Sequence, residues 1–98
     1  MQFQTRDWGA VVVEQAQYHN GRLALLLTGT GQYACEPIGK LTVNLSDDDP
    51  LANGEFFVKT WSENERIAED ALASGLFVDT GRRVPTGRVE AQVWRFAE

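Results

Sequence analysis

The chain has 98 residues, 43% of them apolar, a formal charge of −5 and a single cysteine. A chain of this length has surface enough for one core, which predicts one domain over residues 1–98, and its apolar fraction excludes a disordered protein. No apolar run approaches the ~20 residues of a membrane span. Residues 1–7 lack the basic and apolar regions of a secretory leader. A lone Cys35 closes no internal disulfide, so the expectation is a cytoplasmic protein with no membrane partner.

The first strong signal in chain order is Asn20-Gly21, a dipeptide suited to the two positive-φ positions of a type I′ hairpin turn. As a two-residue loop it sets His19 opposite Arg22, Tyr18 opposite Leu23, Ala16 opposite Leu25 and Glu14 opposite Leu27. One face then carries Val12, Ala16, Tyr18, Leu23, Leu25 and Leu27, with Glu14 the misfit near an edge. Ala24 and Leu26 make the second strand apolar on both sides, which predicts a central position. Thr28-Gly29-Thr30-Gly31 ends it. A third extended stretch, 33–45, is interrupted at Pro37 and Gly39 and turns Leu41, Val43 and Leu45 inward. The polar loop 46–50 and the turn at Asn53-Gly54 lead to a fourth strand over 55–60.

A helix follows. Ser62 and Glu65 have the spacing of a capping box, Ile67, Ala68, Ala71 and Leu72 form an apolar stripe, and Gly75 supplies a left-handed end. Beyond it lie an extended stretch at 76–78, a turn-rich arm with Gly81, Pro85 and Gly87, and a strand over 88–96. In that last strand Val89, Ala91 and Val93 alternate with Glu90 and Gln92. Trp94 and Phe96 share the opposite face, which is expected to be covered within the monomer. The predicted fold class is α+β, an antiparallel sheet of about five or six strands with one α-helix packed on it.

Few residues offer chemistry. His19 has no nucleophile or orienting carboxylate near it in sequence, so it reads as a solvent-facing turn residue. Cys35 reads as a buried or edge-strand residue. One cysteine and one histidine fall short of the four ligands of a zinc site. Asp47, Asp48 and Asp49 lack the alternating spacing and later glutamate of a calcium loop. Gly29-Thr30-Gly31 is not followed by the Gly-Lys-Ser/Thr of a phosphate loop. No cofactor, no metal and no enzymatic activity are expected.

Charge is more informative. Between positions 47 and 70 eight acids (Asp47, Asp48, Asp49, Glu55, Glu63, Glu65, Glu69, Asp70) face only Lys59 and Arg66, for a segment charge of −6. Direct nucleic-acid binding there is excluded, because phosphate contact needs clustered Lys and Arg. Such a segment suits a basic protein surface, including one built to hold nucleic acid. Trp61, just before the helix and within reach of Arg66, is the candidate apolar anchor. Arg82, Arg83 and Arg88 form a basic arm that could pair with the helix acids or with a second copy.

Tyr18–Leu25 (Tyr-His-Asn-Gly-Arg-Leu-Ala-Leu), Leu41-Thr42-Val43-Asn44-Leu45, Trp61-Ser62-Glu63-Asn64-Glu65 and the run from Asp79-Thr80-Gly81-Arg82-Arg83-Val84-Pro85-Thr86-Gly87 to Glu90 together resemble the DUF4313 family of small bacterial proteins. The similarity spans residues 18–93. It implies an accessory protein of a phage, plasmid or integrated element, a class in which small acidic proteins inhibit host defence in the anti-CRISPR or anti-restriction manner. The expected function is therefore a non-enzymatic, protein-binding role against a basic nucleic-acid-binding defence complex. Asp47, Asp48, Asp49, Glu63, Glu69 and Asp70 are its expected charge contacts and Trp61 its anchor. The alternative is a structural or regulatory module that binds a host protein or self-assembles, as a homodimer for example, through an open sheet edge or the Trp94/Phe96 face.

Overall fold

The computed structural model describes residues 1–97, in which the chain forms two antiparallel sheets and one helix. The first sheet has the order β1 (Gln2–Thr5), β2 (Gly9–Gln17), β3 (Leu23–Gly29), β4 (Pro37–Lys40). The second has the order β5 (Glu55–Val58), β7 (Val89–Phe96), β6 (Phe77–Thr86), and the helix α1 runs Glu65–Ala73. The α+β class stands. The single sheet of five or six strands is corrected to one sheet of four and one of three.

The division falls at Leu41–Val43. Leu41 N donates to Leu25 O at 3.0 Å, while Lys59 N donates to Leu41 O at 3.0 Å and Val43 N to Phe57 O at 3.1 Å. This short segment thus bonds β3 on one side and β5 on the other, stitching the two sheets. Leu41 enters the main core, whereas Val43 and Leu45 pack on the far side of the second sheet. The expected shared face of Leu41, Val43 and Leu45 breaks at this crossing.

The β2–β3 register also differs from expectation, by one residue. Val13 faces Leu27, Glu14 faces Leu26 and Ala16 faces Ala24. Tyr18 N donates to Arg22 O and Gly21 N to Tyr18 O, so His19, Asn20 and Gly21 form a three-residue loop with Gly21 alone at φ +84°. A loop that needs one left-handed residue, and that one glycine, avoids placing Asn20 there. The slip exchanges the faces. Val11 and Val13, not Val12, Ala16 and Tyr18, join Leu25 and Leu27 in the core, and Glu14 turns outward to accept a bond from Thr28 Oγ1.

The main core gathers Phe3, Val11, Val13, Leu25, Leu27, Leu41, Phe56, Val58, Ile67, Ala68, Ala71, Phe77 and Trp94. Phe77 is its hub, with ring centroids 6.3 Å from Phe3, 5.9 Å from Phe56, 5.9 Å from Trp94 and 5.7 Å from Phe96. A smaller cluster of Phe57, Val84, Ala91 and Val93 lies on the other face of the second sheet, under Val43, Leu45, Leu51 and Trp61. Both faces of β5 and β7 are therefore covered, and Trp94 is 1% exposed, as expected. Phe3 reaches this core from β1, a strand too short to leave a sequence signal.

The helix begins differently from its sequence pattern. Ser62–Asn64 is a 3₁₀ turn with Ser62 at φ +59°, and no side-chain cap bond is made there or at Asn64, so the capping box is absent. Asn64, buried, sends Nδ2 to Lys40 O at 2.6 Å and ties the helix start to β4. Gly75 at φ +82° ends the helix as expected, and Leu72 departs from the stripe by remaining exposed. The expected turn-rich arm is part of β6, a ten-residue strand with a register shift between Asp79 and Arg83 and Gly81 at φ +87°. A bulge lets the strand continue past its glycine.

Candidate functional site

The loop between β4 and β5 carries the first three candidate residues, and the β2–β3 hairpin holds it. The Arg22 guanidinium donates to Ser46 O at 3.1 Å, Asp47 O at 3.4 Å and Asp49 O at 2.5 Å. It also lies 5.3 Å from the centroid of the Phe57 ring, so the same cation is seated on the small core. Asn20 Nδ2 donates to Asp47 Oδ1 at 2.6 Å and to Asn44 Oδ1 at 3.3 Å. Because Arg22 takes main-chain carbonyls, the carboxylates are not spent on it. The side chains of Asp48 and Asp49 make no hydrogen bond or ion pair among the described residues, and Asp47 and Asp48 are exposed. Beside the loop lies a cleft of about 450 Å³ lined by Gln15, Gln17, Arg22, Leu51, Asn53 and Phe96 among others.

The remaining acids are elsewhere and already paired. Glu69 and Asp70 both bind Arg6, each at 2.8 Å, and Arg6 Nη2 also reaches Arg66 O. Glu63 pairs with Lys59. The Arg6 site adjoins the β1–β2 turn, whereas the Asp47–Asp49 loop adjoins the β2–β3 turn. The nine residues of β2 separate these ends by about 27 Å at ~3.4 Å per residue. The segment that is continuous in sequence therefore divides into an acidic loop and a separate helix group in which one arginine serves both Glu69 and Asp70.

Trp61 is half-buried against the small core, flanked by Arg83, Arg88 and Gln92. Its expected partner Arg66 is turned to Asp7, at 2.9 and 3.3 Å. The basic arm does not reach the helix acids. Arg83 pairs with Asp79 at 2.8 Å and Arg82 with Glu55 at 4.0 Å. These hydrogen-bonded pairs hold Asp7, Glu63 and Asp79 below the usual carboxylate range, through Arg66, Lys59 and Arg83 respectively. His19 is exposed in its turn, as expected, and Cys35 is exposed at φ +66°, which corrects its expected place in the core or on an edge strand.

Sequence reasoning missed Arg22 and Asn20 as loop braces, since Asn20-Gly21-Arg22 signals a turn and not its long-range partner. It missed Arg6 and Asp7 for the same reason, their partners lying 59 to 64 positions away. Among the described residues no group of three or more His, Cys, Asp or Glu is placed to hold a metal ion. Among the same residues no helix is long and apolar enough to cross a membrane. In comparisons with known proteins, no family model, curated protein or solved structure matches this chain.

Proposed function

We propose that this chain is a non-catalytic, protein-binding accessory protein of the cytoplasm that docks the Asp47–Asp49 loop on a basic protein surface. The observation that carries the reading is a row of three acids on a backbone fixed by the Arg22 guanidinium, with two of the carboxylates unpaired. A pre-ordered loop loses little conformational freedom on binding, and its charge speeds encounter with a cationic patch. Glu63, Glu69 and Asp70 take a secondary part, because Lys59 and Arg6 already offset them. Trp61 contributes the apolar edge that its half-buried position leaves open. The resemblance to DUF4313 supports a mobile-element origin and, through it, a defence complex as the target.

Affinity capture from bacterial lysate at low and high salt tests this. A defined basic partner should be retained by the wild type and lost when Asp47, Asp48 and Asp49 are all changed to Asn, with binding weakened by salt. Retention indifferent to both changes rejects the acidic loop as the contact. A second reading, self-assembly through the basic arm, is favoured by Arg88, which is exposed and makes no ion pair among the described residues. It requires a molecular mass that rises with protein concentration.

A further inference from the structure

Leu72 is 38% exposed although it belongs to the apolar stripe of α1. With Ala68 and an edge of Trp94 it lines a groove of about 230 Å³ between α1 and β7. Glu65 and Glu69 stand on the helix rim, Thr60 and Gln92 on the opposite one. Positions 65, 68, 69 and 72 recur at helical spacing, so apolar carbon and carboxylates run along one stripe. The volume lies below the ~300–1,000 Å³ of small-molecule pockets and suits one long side chain.

The polar groups indicate which side chain. Glu65 makes no ion pair among the described residues, whereas Glu69 is shared with Arg6. The neighbouring part of α1 already receives a guanidinium, since Arg6 bonds Glu69, Asp70 and the carbonyl of Arg66. Trp94 Nε1 donates to Gln92 Oε1 at 2.9 Å, which leaves the Gln92 amide NH₂ as a donor. The exposed Leu72 side chain, with the unpaired Glu65 carboxylate on the same helical stripe, complements a cation on an aliphatic stem. Guanidinium fits better than ammonium, because it is planar, less strongly hydrated and stacks on aromatic and apolar surface.

Resting on the protein-binding reading above, we infer that this groove receives an arginine side chain presented by the partner protein. The stem lies on the exposed side chain of Leu72, beside the nearly buried Ala68 and Trp94, the guanidinium meets Glu65, and the Gln92 amide donates to a main-chain carbonyl of the guest. The groove thereby adds a contact with an apolar part to a surface whose other contacts are weakened by salt.

The test uses the full chain and a blocked Gly-Arg-Gly peptide, with lysine and citrulline counterparts. The reporter is the indole N–H resonance of Trp94, identified by elimination with Trp8→Phe and Trp61→Phe. A saturable shift is expected with the arginine peptide, a weaker response with lysine and none with citrulline. Glu65→Gln should weaken the arginine response about two- to five-fold, the range of a solvent-exposed charge pair. Leu72→Ser should weaken it too, and because Leu72 is exposed that variant keeps the native helical circular dichroism. The variant with Asp47, Asp48 and Asp49 changed to Asn should respond as the wild type does. Absence of a saturable shift, equal response to citrulline, or indifference to Glu65→Gln overturns the inference. A normal groove titration alongside capture that ignores the three aspartates removes the loop reading alone; the reverse combination removes the groove alone.

Discussion

Arg22 is a single side chain on which two levels of structure depend. It satisfies carbonyls of the 46–49 loop and lies over Phe57 of the small core. Arg22→Met should lower unfolding free energy by about 1–2 kcal/mol, the cost of losing charge-assisted bonds at a half-exposed site, and speed amide exchange in the loop. Arg22→Lys should recover only part, since one ammonium cannot span three carbonyls. Gly29 is constrained by space: a Cβ there would sit 2.3 Å from Tyr33 O. Gly29→Ala should cost about 1–3 kcal/mol in chemical denaturation, because backbone must move. Asp79 is the residue through which pH acts on the second sheet. Its carboxyl is held low by Arg83, so the folded form binds fewer protons than the unfolded one. The stabilisation is complete above the ordinary aspartate range and lost as pH falls through the lowered folded value. Asp79→Asn should therefore flatten the acid limb of a stability–pH curve and leave stability near neutral pH lower than the wild type's.

At the scale of elements, the helix was legible in its apolar spacing and its Gly75 end, and illegible at its start. Ser62 and Glu65 have the spacing of a cap, yet Ser62 takes φ +59° and Asn64 bonds Lys40 O. A long-range bond to β4 outweighs the local option, and only the fold brings those atoms together. Ser62→Gly separates the two descriptions. Removing the left-handed strain should stabilise the protein by about 0.5–1 kcal/mol, whereas loss of a true cap would destabilise it. The β2–β3 hairpin teaches a related lesson. Asn20-Gly21 located the turn correctly, but a loop of two residues and one of three differ by a full exchange of faces. What decides between them is the placement of Glu14 against Val11 and Val13, a packing matter that the turn dipeptide does not encode. Trp94 was readable because strict alternation sets it opposite Ala91 and Val93, and those residues do enter separate clusters.

For the whole molecule, the acidic segment was legible as composition and not as a surface. A charge of −6 over positions 47–70, Lys59 and Arg66 already counted, is a property of the chain, and the fold brings Arg6 from outside the segment against Glu69 and Asp70. Lys59, four residues from Glu63, is a local partner, but Arg6 comes from the opposite end of the chain and could not be assigned from sequence. The loop that Arg22 braces keeps two unpaired carboxylates, and the central claim is that this loop makes the charged contact with a partner. The most direct measurement is the association rate of the captured partner with the wild type, with the variant in which Asp47, Asp48 and Asp49 are Asn, and with one in which Glu69 and Asp70 are Gln and Asn, each at two ionic strengths. Electrostatic docking through the loop requires a wild-type rate that falls steeply with salt, a slow and salt-insensitive loop variant, and a helix variant close to wild type. A loop variant that associates as fast as wild type, with the loss appearing in the helix variant, would contradict it.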